Sequence, residues 1–198
     1  MGITLFRCSG GHIALPTRTL VLVDRNDGGN LIVNPPRDVW ERGELTPVEL
    51  TMWSFLVAAT GAAMIETLPQ LEGGCVNYWE AGNWALNERA EPIGSKFAPQ
   101  HRRVHLHLLG RSRTAQSPSW KWGEAPKFPD YADRLRWAQH HQRLTPDECH
   151  AVVTRVAALL RTKYSVPSDQ LDPWTQCPAC KYPTTSSIGR CEECDSSR

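Results

Sequence analysis

Hydrophobic and polar positions alternate most regularly over residues 101–111, "HRRVHLHLLGR", where Val104, Leu106 and Leu108 fall two apart. Successive side chains of a strand take opposite faces, so this spacing predicts a strand with one aliphatic face. Its other face carries His101, Arg103, His105 and His107. Two shorter aliphatic runs, Thr19 to Asp24 (TLVLVD) and Asn30 to Asn34 (NLIVN), flank Arg25-Asn26-Asp27-Gly28-Gly29. The Asp-Gly-Gly core is a strong turn signal, and the three pieces together predict a β-hairpin. Pro35 and Pro36 end its second strand, and Gly73-Gly74 opens a further strand predicted from Cys75 to Trp79.

Helical periods appear elsewhere. Thr46-Pro47-Val48-Glu49 supplies an N-cap, a proline at N1 and a glutamate at N3, which predicts a helix running to about Leu68. Trp53, Leu56, Val57, Thr60, Gly61 and Met64 recur at helical spacing with few charges around the cylinder, as in a helix buried against a sheet. Thr145-Pro146-Asp147-Glu148 starts a second capped helix to about Tyr164, with Val152, Val156, Leu159 and Leu160 facing the core. A shorter helix is expected within Asp130 to His140. The stretch "SPSWKWGEAPKFPD" fits no regular element; its Trp120, Trp122 and Phe128 either cover the basic face or pack beneath the last long helix, and packing is the expectation.

Composition adds exclusions. With 198 residues, 40% hydrophobic and 22% charged, the chain is long enough for one main domain with an appendage. Its net charge of +1 gives no bulk attraction to nucleic acid or anionic membrane. No uninterrupted apolar run nears the roughly 18 residues of a membrane span and no signal-type apolar region opens the chain, so a cytoplasmic protein with no membrane partner is expected. The eight tryptophans read first as core and rim packing.

The seven cysteines divide unevenly. Cys8, Cys75 and Cys149 are scattered, whereas Cys177, Cys180, Cys191 and Cys194 form two Cys-x-x-Cys knuckles ten residues apart. Each knuckle offers two thiolates to one tetrahedral ion, with disulfides or a redox pair as the alternatives. A tail this small has little core of its own, so a structural zinc ion would have to fold it. The expected division is residues 1–166 as the main domain and 167–198 as a zinc-ribbon-like tail, joined by a linker over Pro167 to Pro173. Such a tail suits contact with nucleic acid or protein, or the capping of a domain.

Four chemistries compete for the basic row: a solvated sheet edge, a metal site of His-x-His type, phosphate binding without reaction, and nucleophilic attack of a neutral imidazole on phosphorus. A metal is disfavoured by Arg103 and by the lack of a third ligand nearby. "RVHLHLLGR" resembles the signature of the histidine triad (HIT) superfamily, His-φ-His-φ-His-φ-φ followed by Gly and Arg, with φ hydrophobic. "LVLVDRNDGGNLIVNPPRDV" and the capped helix after it are similar to the family's preceding segments, so the likeness spans about residues 19–111, with 112–166 as a helical extension. It implies an α+β fold, an antiparallel sheet with packed helices, and a nucleotide substrate. It also implies a nucleotide hydrolase or nucleotidyl transferase working at an α-phosphate of a dinucleoside polyphosphate or phosphoramidate, and a homodimer.

In that register His105 is the nucleophile and His107 the third triad residue, which assists phosphate and leaving group. Arg103 stands at the first triad position as a phosphate-binding guanidinium, with Gln100 and Asn83 near the family's other phosphate contacts and Asp24 matching its ribose-binding carboxylate. Three departures stand out: Arg103 replaces a histidine, Asn30 stands where many members open a strand with histidine, and Gln100 is one residue out of register. The pairing with a zinc module also resembles aprataxin-type enzymes that remove adenylate from nucleic-acid ends. The departures, for their part, suit a non-catalytic nucleotide-binding protein.

Overall fold

A tight turn at Ser9-Gly10 joins the first two strands, β1 (Ile3–Cys8) and β2 (Gly11–Leu15), in the computed structural model, which describes residues 2–80, 84–185 and 189–195. After them come β3 (Asn30–Asn34), the long helix α1 (Pro47–Thr67), β4 (Cys75–Glu80), a single turn of helix α2 (Ala98–His101) and β5 (Leu106–Arg111). The chain continues through α3 (Arg134–Gln139), α4 (Pro146–Thr162), the short strands β6 (Thr175–Gln176) and β7 (Pro183–Thr184), and a last turn α5 (Glu192–Asp195). The architecture is α+β: a five-stranded antiparallel sheet in the order β1-β2-β3-β5-β4, with β6 and β7 as a separate pair.

Both capping boxes form. Thr46 accepts from the Glu49 amide and Thr145 from the Glu148 amide, while each glutamate accepts from its cap's N–H. α1 and α4 pack on each other, and their apolar stripes meet Leu31, Val33, Leu106 and Leu108 of the sheet in one buried cluster. α1 does have the length and composition of a membrane span, yet here Trp53, Leu56, Ala59 and Met64 are buried against the sheet and α4.

The expected hairpin is corrected. Residues 19–24 form no strand; Leu22 donates its amide to the Asn30 side chain at 3.2 Å instead of to a ladder, and β3 pairs with β2 and β5. Leu22 and Val23 bury themselves on the sheet's second face with Leu109 and Trp120. The Asp-Gly-Gly turn persists as a short 3-10 turn over Arg25–Asp27, closed by Gly28 at φ 131°. Its backbone lies directly over β5. A Cβ on Gly110 would stand 2.1 Å from the Gly28 carbonyl oxygen, so the glycine of the Gly-Arg tail is there because two backbones touch.

The segment expected as a linker also lies against the sheet. Ser9 donates to the Gln170 carbonyl and Asp172 to that of Arg7, so residues 170–172 cover the outer edge of β1. Cys177 and Cys191 belong to the main buried cluster.

Replacing Gly110 by alanine forces backbone apart where no side chain can yield, and is expected to cost about 2–3 kcal/mol. Urea unfolding of Gly110→Ala checks this; an unchanged midpoint contradicts the contact.

Candidate active site and metal centre

β5 pairs with β3 on one edge and β4 on the other, so its side chains have only two directions. Leu106 and Leu108 enter the α1 core. His107, opposite Ile32 and Trp79 in the two ladders, faces the other way and is 7% exposed. His105 lies just before the strand. Its Nδ1 is 2.8 Å from the Arg103 carbonyl oxygen, and its Nε2 is 3.1 Å from Nε2 of His107.

These two distances assign the protons. A carbonyl oxygen only accepts, so Nδ1 of His105 carries the hydrogen and, in a neutral ring, Nε2 is bare. His107 must then donate from Nε2, which leaves its Nδ1 bare; that nitrogen is buried without a hydrogen-bond partner. Burial pushes the His105 pKa below its usual value, against a smaller upward effect of the Arg103 carbonyl. Burial, with His105 beside it, lowers His107 to about 3. Burial thus favours the neutral form of both rings.

His105 lines a cavity of about 500 Å³. His101, Arg103, His105 and His107 all line it, so the nitrogen-bearing row does converge, although only His107 of the four lies within the strand and His101 sits on α2. The Arg103 side chain is 46% exposed; it donates to the carbonyls of Pro99 and Arg102, at 3.2 and 2.6 Å, with Nε 3.8 Å from Asp38. Gln100 is exposed on α2 and does not line the cavity. Asp24 does not line it either: its two carboxylate oxygens accept from the amides of Asn26, at 2.8 Å, and Gln142, at 2.7 Å. Asn83 lies outside the described residues. Asn30 is buried, bonded to Leu22 and the Leu31 carbonyl.

The cavity's other walls are aliphatic and aromatic. Leu20, Leu22, Ile32, Trp79, Trp84 and Phe128 make them, closed by Ala85 and Pro129. Phe128 stacks on Trp79 with ring centroids 4.3 Å apart and planes 9° apart, and Trp79 lies 5.6 Å from the His107 ring. The pairing of β4 with β5 carried the signal, because residues directly opposite in a ladder share a face. Phe128 thus covers the cavity instead of packing beneath α4, while Trp120 is buried on the sheet's second face and Trp122 is 40% exposed. Five hydrogen bonds from three side chains hold this wrap. Buried Asp27 accepts from the amides of Gln116 and Ser117, Arg111 donates to the carbonyls of Lys121 and Glu124, and the Trp120 indole donates to Gly110.

At the opposite end of the sheet the sulfurs of Cys177, Cys180, Cys191 and Cys194 all lie within 4.8 Å of one another. Tetrahedral coordination at about 2.3 Å per bond sets sulfurs about 3.8 Å apart, so the donor set fits one metal ion. Cys180 and Cys191 are 3.4 Å apart, far beyond a disulfide bond of about 2.05 Å. The knuckles are tied to the main fold through Arg143, 5% exposed and bidentate on Glu193, through Glu192 on the Thr4 amide, and through the Tyr182 hydroxyl on the Leu144 carbonyl.

Because two ligand cysteines sit in the shared core, stripping metal is expected to lower the midpoint of the helical thermal transition by about 10 °C, equivalent to roughly 3 kcal/mol at this chain length. Circular dichroism after chelation checks it; an unchanged midpoint contradicts the coupling. No protein-family model and no curated protein matches the chain.

Proposed function

We propose that the protein is a histidine-triad-type nucleotide hydrolase or nucleotidyl transferase in which His105 attacks an α-phosphate. The observation that carries this reading is the hydrogen bond from His105 Nδ1 to the Arg103 carbonyl, which supports a bare Nε2 on a desolvated ring that lines the cavity. Such a nitrogen needs no deprotonation before attack.

In the proposed step Nε2 of His105 bonds to phosphorus and the bond to the leaving group breaks. The nucleotidyl-imidazole then carries a positive charge, which the Arg103 carbonyl stabilises through Nδ1–H. His107 releases its hydrogen bond to His105 and donates Nε2–H to a phosphoryl or leaving-group oxygen. Arg103 and His101 complete the anion-binding side, Arg103 by turning its guanidinium from the α2 carbonyls to the phosphate. Water or another acceptor then attacks phosphorus and gives up its proton to the expelled leaving group or to solvent, and the imidazole departs neutral. The chemistry of the tail supports zinc: four thiolates suit a borderline-soft ion, and a filled tetrahedron leaves no position for substrate, so its part is structural.

Turnover of a dinucleoside polyphosphate or a nucleoside phosphoramidate tests the proposal. His105→Ala is expected to lose at least about 10³-fold in kcat. Since the neutral ring attacks and its pKa is depressed, the acid limb of kcat/KM should have its midpoint below 6.5, the value of an ordinary histidine. Wild-type rates in His105→Ala contradict the nucleophile; nucleotide binding without any turnover points to a binding protein.

A further inference from the structure

The organic half of a bound phosphate compound would lie against the cavity's apolar walls, and those walls have little with which to read hydroxyls or base edges. Among the described lining residues no side chain bears a carboxylate, an amide or a hydroxyl. The polar ones, His101, Arg103, His105 and His107, form the anion side; the remaining donors are the indole N–H groups of Trp79 and Trp84.

Part of the backbone along the walls, at Leu20, Leu22, Ile32 and Trp79, is engaged as well. Leu22 donates to the Asn30 side chain and accepts from the Trp137 indole at 3.0 Å, while Leu20 donates to the Thr17 carbonyl. Ile32 and Trp79 belong to ladders, and Pro129 has no N–H. Asp24, the one carboxylate with a case for holding a sugar, is fastened by two amides outside the cavity.

What the walls do offer is aromatic area, the stacked Trp79–Phe128 pair and Trp84. We propose that the cavity takes nucleotides by stacking and apolar contact, without recognising the ribose hydroxyls or the edge of the base. Ribonucleotides and 2′-deoxyribonucleotides are then equivalent ligands, and so are purines that differ only in their edge groups. This rests on the reading of the site as a nucleotide site, and binding tests it separately from the chemistry.

Calorimetric titration of the full chain with adenosine 5′-monophosphate, its 2′-deoxy counterpart and inosine 5′-monophosphate is the experiment. The first two differ only at the 2′ position, and adenine and hypoxanthine differ only at the base edge. All three Kd values are expected within about fivefold of one another. Phe128→Leu and Trp84→Leu, on separate segments, are each expected to weaken all three by about tenfold, the usual worth of one stacked base. A preference beyond fivefold among the three ligands, binding of none, or full affinity in both variants overturns the inference. Loss of turnover in His105→Ala bears on the proposed reaction and leaves these binding ratios unaffected.

Discussion

Strand β5 is hydrogen-bonded along both edges, and the rest of the site follows from that constraint. A strand in mid-sheet has two faces and no free edge, so each side chain goes either to the α1 core or to the opposite side. The core takes Leu106 and Leu108. The other side receives His107, Leu109 and Arg111, and there the wrap of residues 112–130 packs Trp120 on Leu109 and Phe128 on Trp79. Desolvation disfavours charge on His105 and His107, and the Arg103 carbonyl selects the tautomer of the first ring, which in turn selects that of the second.

The same strand connects site and scaffold. Gly110 meets the backbone of Gly28, Arg111 holds the wrap through two carbonyls, and the wrap delivers Phe128 to Trp79 above His107. Asp27 fastens the start of the wrap from the turn that Gly28 closes, so one short turn touches the strand and the cover at once. On the far side, residues 170–172 and the four-cysteine knuckles cover the edge of β1.

Much of this was legible in residue order. The capping boxes marked both long helices to within two residues of their ends, the alternation before Gly-Arg marked β5, and the paired Cys-x-x-Cys spacing marked the four-cysteine cluster that could hold a metal ion. The first hairpin was not legible, because a register shift between Thr4 and Phe6 lets Leu5 and Phe6 both be buried and destroys the period of two. TLVLVD has the composition of a strand, yet its Leu22 and Val23 gain more by burial against Leu109 and Trp120 than by pairing. Of the residues assigned to phosphate and sugar, Arg103 reaches the cavity because it adjoins the strand, whereas Asp24 is held by a turn it caps and Gln100 by a helix that faces solvent. The aromatic walls come from segments distant in sequence, and only the pairing of β4 with β5 brings Trp79 to His107.

The central claim is that a bare imidazole nitrogen on His105 acts as a nucleophile on phosphorus. Rapid alkaline quenching during turnover, followed by mass spectrometry of the peptide containing residues 104–111, measures it directly, because a phosphorus–imidazole bond survives base and is lost in acid. A nucleotidyl mass is expected on His105, with the adduct removed by acid. An adduct on another residue, or turnover with no covalent species at any time point down to a single cycle, contradicts it.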